Sequence, residues 1–177
     1  MPRLFTGLEI PAHVSSRLSL IKGGIPGARW VAPENYHITL RFIGDIDNLL
    51  AREIAFSLDQ IDRASFEIII DGLTILGGEK PRALVAHVQD SLALSQLQSE
   101  QETLMRRLGM IPETRKFIPH ITLARLKNTT PFNAATFLGA RGMFETSKFI
   151  ASRFVLYSSR DSIGGGPYVV EAAYPLR

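Results

Sequence analysis

No cysteine occurs among the 177 residues. Disulfides, thiolate metal sites and a cysteine nucleophile are therefore excluded, and the absence fits a reducing compartment. Histidine is scarce, at four residues, and tryptophan appears once, as Trp30. No apolar run approaches the length of a membrane span. The opening Met1-Pro2-Arg3-Leu4-Phe5-Thr6 lacks the apolar core of a signal peptide. A cytoplasmic protein without membrane contact is the expectation. No block of like charge forms a tail, and a net charge of +3 permits an anionic partner without requiring one. Three site signatures are also missing: the G-x-S-x-G nucleophile turn, the G-x-x-x-x-G-K-[ST] phosphate loop and the H-E-x-x-H zinc helix. No acidic cluster accompanies the histidines, so neither a metal nor a cofactor is expected. The Gly164-Gly165-Gly166 run reads as a turn rather than a phosphate cradle.

What the chain does contain is one phrase said twice. Tyr36-His37-Ile38-Thr39-Leu40 lies in the first quarter and Pro119-His120-Ile121-Thr122-Leu123 two thirds of the way along. With ten Thr in the chain, two His-x-Thr units among four His is an accident of roughly 2%, before the shared Ile and Leu are counted. The repeat is signal, and the remaining question is what chemistry needs it.

The hydrophobic share of 45% is that of a globular protein, and the length suits one domain of two lobes sharing a core. Strands are expected over residues 3–10, 28–31, 36–43, 66–76, 82–88, 117–126, 145–158 and 168–174. Helices are expected after Pro11, after Asp45 or Asp47, over 91–108 and over 131–138. Asp71-Gly72 reads as a bulge within its strand. Each half holds strands, a long helix and one His-x-Thr strand. The economical reading is an α+β fold of two similar lobes around one cleft, in which a duplicated unit brings both motifs to a central groove. Trp30 reads as a packing anchor, and His13 and His87 as surface or structural histidines.

Strand side chains alternate, so His37 and Thr39 share one face while Ile38, Leu40 and Phe42 point into the core. Near neutral pH one imidazole can take a proton while another gives one. A phosphodiester displacement needs those two services at opposite ends of an in-line geometry, and hydroxyl donors for the phosphoryl oxygens. Two His and two Thr make a compact kit for that chemistry without a metal or a covalent intermediate.

On these motifs the chain resembles the 2H phosphoesterase superfamily, named for two H-x-[ST]-x motifs. It is most similar to the RNA 2′,3′-cyclic phosphodiesterase branch, once called 2′-5′ RNA ligases. The branch opens like Arg3-Leu4-Phe5-Thr6-Gly7-Leu8-Glu9-Ile10-Pro11. Its motifs extend like Asn35 to Gly44 and Phe117 to Arg125, and its end resembles Leu156-Tyr157-Ser158-Ser159 followed by Gly166-Pro167-Tyr168. The resemblance implies a bilobal, pseudo-two-fold α+β fold, with two antiparallel sheets flanking a basic central cleft and helices outside. It implies hydrolysis of RNA 2′,3′-cyclic phosphate ends to a 2′-phosphate. His37 would be the general acid and His120 the general base. Thr39, Thr122 and Arg125 would bind the phosphate, and Phe42 would help position the nucleoside. The partners would be RNA ends or nucleotides with a 2′,3′-cyclic phosphate, and nothing requires more than a monomer. RNA or nucleotide binding without turnover, and 2′-5′ joining of RNA ends by the reverse reaction, are the alternatives on the same fold. On a regular strand, however, Arg125 and Phe42 each lie five places beyond their His and face away from it. The strand must bulge, twist or end for Arg125 to reach the site. Arg41 shares the face of His37 and reads as a solvated arginine.

Overall fold

The computed structural model describes residues 3–141, 144–159 and 167–177. Nine strands appear in it: β1 (Arg3–Glu9), β2 (Ala28–Trp30), β3 (His37–Asp45), β4 (Phe66–Leu76), β5 (Ala83–Val88), β6 (His120–Leu126), β7 (Ser147–Ala151), β8 (Arg153–Ser159) and β9 (Tyr168–Pro175). The four α-helices are α1 (Ala12–Ser19), α2 (Asn48–Leu58), α3 (Leu92–Arg107) and α4 (Pro131–Ala140). Three helices start where a side chain caps a backbone donor. Asp47 accepts from the Leu50 N–H at 2.8 Å, Ser91 from Leu94 at 3.1 Å and Thr130 from Asn133 at 3.0 Å. Gly109, just past α3, takes φ +85°, the left-handed turn that ends a helix. The Gly164 to Gly166 turn lies outside the described residues.

All strand pairings are antiparallel and run in the order β7-β4-β5-β6-β3-β1-β8-β9, with β2 added to β6. The order divides into two four-stranded halves, β3-β1-β8-β9 and β6-β5-β4-β7. They meet through β3 and β6 at a single register pair, Ile38 opposite Ile121. Both isoleucines are fully buried, each contributing about 1.5–3 kcal/mol of apolar burial at the seam. Helices α2 and α3 pack on each other and α3 on β3, whereas α1 reaches β7 and α4 reaches β4. Each half thus carries helices on the face that Ile38 or Ile121 enters, and the opposite face is left for a cleft. Trp30 packs on this core beside Phe137, ring centroids 6.3 Å apart. His13 is exposed on α1.

Two expectations need correction. The alternating run over 145–158 is not one strand. It breaks at Ser152, so that β7 pairs with β4 in one half and β8 with β1 in the other. The alternation of Phe149, Ala151, Arg153 and Val155 continues across the break, which is why periodicity alone cannot see the crossing. Phe42 does not enter the core: it is 47% exposed. The Asp71 bulge is present, as a register shift between Ile70 and Gly72 opposite β5.

Candidate active site

The register of the central strands assembles the site. Because Ile38 opposes Ile121, continuing the antiparallel count sets His37 across from Thr122 and Thr39 across from His120. Each histidine therefore neighbours the other motif's threonine. All four side chains line one cleft of about 840 Å³, together with Phe42, Arg125 and cationic residues Arg3, Arg82, Arg115 and Lys116.

Arg125 and Phe42 reach this cleft through two matched bulges. Between β1 and β3 the partners run Gly7–Thr39, then Thr6–Arg41, leaving Leu40 unpaired. Between β5 and β6 they run Val85–Thr122, then Leu84–Ala124, leaving Leu123 unpaired. The bulged residue is the Leu of each His-Ile-Thr-Leu phrase. One extra residue reverses the parity of everything after it. Leu40 and Arg41 are consecutive buried residues, as are Leu123 and Ala124, and Phe42 and Arg125 then emerge on the histidine face. The same shift removes Arg41 from that face. It is 5% exposed rather than solvated, donates to Glu102 at 2.5 Å, and donates to the Ile111 carbonyl at 2.7 Å. Glu102 also accepts from the Glu113 N–H at 3.0 Å. Arg41 and Glu102 thus hold the segment carrying Arg115, Lys116, Phe117 and Ile118 over the cleft. This role is invisible in the sequence, because it depends on a residue 61 positions away.

The two imidazoles are set in one tautomer by the same local device. Nδ1 of His37 donates to the Asn35 carbonyl at 2.9 Å, and Nδ1 of His120 to the Ile118 carbonyl at 2.7 Å. In each neutral ring Nε2 is then left as the acceptor. At His37 that nitrogen lies 3.0 Å from the Thr39 hydroxyl. The surroundings differ more. Phe5, Tyr157 and Tyr168 crowd His37, with ring centroids 5.0, 5.5 and 5.0 Å away. Burial is the largest effect on it and pushes its pKa below 6.5; positive charge at His120 and Arg125 pushes the same way, against the hydrogen bond to Asn35. Burial likewise keeps the Tyr157 phenol protonated. Opposite His120 on β5 sits His87, whose Nδ1 lies 2.6 Å from Asp71, the residue at the β4 bulge. Motif reading missed the aromatic box. Phe5, Tyr157 and Tyr168 all stand in the flanking phrases of the resemblance, but their gathering around His37 depends on the register that sets their strands beside β3.

Among the described residues, no helix is long and apolar enough to cross a membrane and no group of three or more His, Asp or Glu is arranged to hold a metal ion. With two imidazoles, two hydroxyls and a guanidinium lining one cleft, the arrangement offers groups for proton transfer and for binding an anion.

Comparison with known proteins gives a consistent picture. The sequence profile of the LigT-like phosphoesterase family matches the chain twice, over residues 8–87 and 88–168, one motif to each match. Three proteins named RNA 2′,3′-cyclic phosphodiesterase are similar. That of Aeropyrum pernix is 36% identical over 63% of this chain and 64% of its own, and that of Aquifex aeolicus 36% over 56% of each. That of Thermotoga maritima is 32% identical over 71% of this chain and 70% of its own. The matches thus span less than two thirds of the first two relatives. Two solved structures share the fold. A protein of Thermus thermophilus superposes with a TM-score of 0.81 at 22% identity, covering 99% of this chain and 98% of its own. LigT of E. coli, complexed with 3′-AMP, superposes with a TM-score of 0.77 at 21% identity over 99% of both chains.

Proposed function

This chain belongs to the LigT-like phosphoesterase family, and on that premise we propose that it hydrolyses RNA 2′,3′-cyclic phosphate ends to 2′-phosphates by two-histidine acid/base catalysis. The observation that carries the reading is the convergence of His37, Thr39, His120 and Thr122 in one cleft, with each Nδ1 tied to a backbone carbonyl so that Nε2 is left for the chemistry. Nε2 of His120 takes a proton from water, whose oxygen attacks phosphorus opposite the O3′ bond. That bond breaks as His37 delivers its Nε2 proton to O3′, and the phosphate remains on O2′. The Thr39 and Thr122 hydroxyls and the Arg125 guanidinium stabilise charge on the non-bridging oxygens. The exposed ring of Phe42 offers a face for the nucleoside. The acid/base division follows the resemblance of the two motifs; the aromatic box sets the two imidazoles apart, with Phe5, Tyr157 and Tyr168 around His37 alone. The proposed place of action is the cytoplasm, in keeping with a chain that has no cysteine.

The test is turnover of an oligonucleotide ending in a 2′,3′-cyclic phosphate, in excess EDTA, with the product identified. The expected product carries a 2′-phosphate. His37→Ala and His120→Ala should each lower kcat by about 10²–10⁴. A 3′-phosphate product, or full activity in both variants, overturns the mechanism. Stoichiometric retention of the oligonucleotide without turnover favours a binding module instead.

A further inference from the structure

We propose that Arg29 is a binding site for the first phosphodiester on the 5′ side of the reacting phosphate, so that the protein selects RNA strands over mononucleotides. The inference rests on the reading of the cleft as a 2′,3′-cyclic phosphodiesterase site. Its starting point is register. Strand β2 lies antiparallel on β6 with Arg29 directly opposite Arg125. Direct partners on a ladder project from the same face with Cβ atoms about 4.5–5.5 Å apart. Trp30, of the opposite parity, packs on the core, and Arg125, the partner of Arg29, lines the cleft. Arg29 is thereby set on the cleft side, next to the arginine assigned to the reacting phosphate.

Like charges placed directly opposite destabilise a sheet. Here both guanidinium groups are exposed, and among the described residues neither makes an ion pair or a side-chain hydrogen bond. Lys127, two places beyond Arg125, is exposed as well, and Arg82 adjoins Ala83, the partner of Arg125 on β5. An unneutralised cluster of this kind lacks only a polyanion.

The duplicated architecture supplies an internal control. His37 and His120 are 83 residues apart, and the same offset relates Phe42 to Arg125 and Pro112 to Arg29. Pro112 has no N–H and cannot donate to a ladder. No strand forms there, and Arg41 holds that segment instead. Past the first motif the cleft thus presents the Phe42 ring, with Arg115 and Lys116 on the segment that Arg41 holds, whereas past the second it presents Arg125 with Arg29 directly opposite. A strand laid across the site has its base at one end and its continuing backbone at the other.

The experiment compares kcat/KM for a 2′,3′-cyclic mononucleotide and for a trinucleotide ending in a 2′,3′-cyclic phosphate, in wild type, Arg29→Gln and Arg29→Lys. Wild type should prefer the trinucleotide by about tenfold, the worth of one charge-assisted phosphate contact. Arg29→Gln should bring the ratio close to one, and Arg29→Lys should keep most of it. In parallel, fluorescence anisotropy follows a labelled trinucleotide ending in a 3′-phosphate, which cannot turn over. The slope of log affinity against log salt should fall by about 0.7 in Arg29→Gln. An unchanged ratio in Arg29→Gln overturns the proposal. So does an equal loss on both substrates, or a ratio that collapses only in Lys116→Gln or Arg82→Gln. If wild type turns over neither substrate, the reading of the reaction fails. The salt slope then decides the subsite by itself: a reduced slope in Arg29→Gln supports it and an unchanged slope overturns it.

Discussion

At the scale of single residues, the sharpest question for the proposed mechanism is how His37 would serve as an acid when its surroundings push its pKa below the ordinary 6.5. The answer lies in which state of the enzyme is observed. In the free enzyme, burial among aromatic rings and the nearby positive charges favour the neutral ring, so the required proton is lost as pH rises through a value below 6.5. A bound phosphate anion opposes the charge of His120 and Arg125 and raises the pKa again. The alkaline limb of kcat/KM, which reports free enzyme, should therefore lie at lower pH than the alkaline limb of kcat, which reports the complex. Arg125→Gln removes one of the depressing charges. Its alkaline limb in kcat/KM should move upward in pH relative to wild type, and a limb that stays put or moves down contradicts this account. The measurement is a pair of pH–rate profiles between pH 4.5 and 9, intervals set around the ordinary imidazole range.

Elements matter most where they depart from regularity. The Leu40 and Leu123 bulges decide that Phe42 and Arg125 face the site, and a strict period-2 reading of either strand assigns both residues to the wrong face. The motifs, their shared faces and most strand positions were legible, because hydrophobic alternation and capping residues are local signals. The bulges were not, since they exist only as a mismatch with the partner strand. Nor was the Ser152 crossing, where alternation runs on unbroken while the partner changes, nor the burial of Arg41 against Glu102. Opposite the first bulge sits Gly7 on β1. A Cβ there would lie 2.8 Å from the Ile38 carbonyl and 3.2 Å from the Tyr157 ring. The first contact is with backbone at the seam between the halves, so it cannot be relieved by a rotamer change. Gly7→Ala should lower stability by about 1–3 kcal/mol, read as a lower urea midpoint at unchanged m. It should also reduce activity, because Ile38 is flanked by His37 and Thr39. A midpoint equal to that of wild type would show that the strand yields at no cost.

For the whole molecule, the governing fact is that the two halves are interleaved. The half built on the first motif takes β1 and β3 from the start of the chain and β8 and β9 from its end, with the other half threaded between them. Tyr174 hydrogen-bonds the Ala55 carbonyl at 3.1 Å and the Arg177 N–H donates to the Arg63 carbonyl at 2.9 Å, so residues 168–177 fasten the region around α2. Loss of either half deprives the other of its seam. Denaturant unfolding should accordingly be a single transition. Trp30 fluorescence, which reports the β2–β6 region, should share its midpoint with far-UV circular dichroism, which reports all strands and helices. Separate midpoints would mean that the halves unfold independently.

The late return of the chain to its first strand has a consequence for biosynthesis. Strand β1 offers β3 one edge and β8 the other, with Arg3 opposite Ser159. During translation the second edge stays open until more than 140 further residues have been made. An open strand edge next to apolar side chains such as Leu4, Phe5 and Leu8 is a template for intermolecular pairing. The nascent chain is thus at its most vulnerable between the emergence of β1 and that of β8. Long-range pairing of this kind also makes folding slow for a protein of this size. The arrangement that gives the cleft its near-symmetry leaves the closing of the β1 edge to strands made long after it.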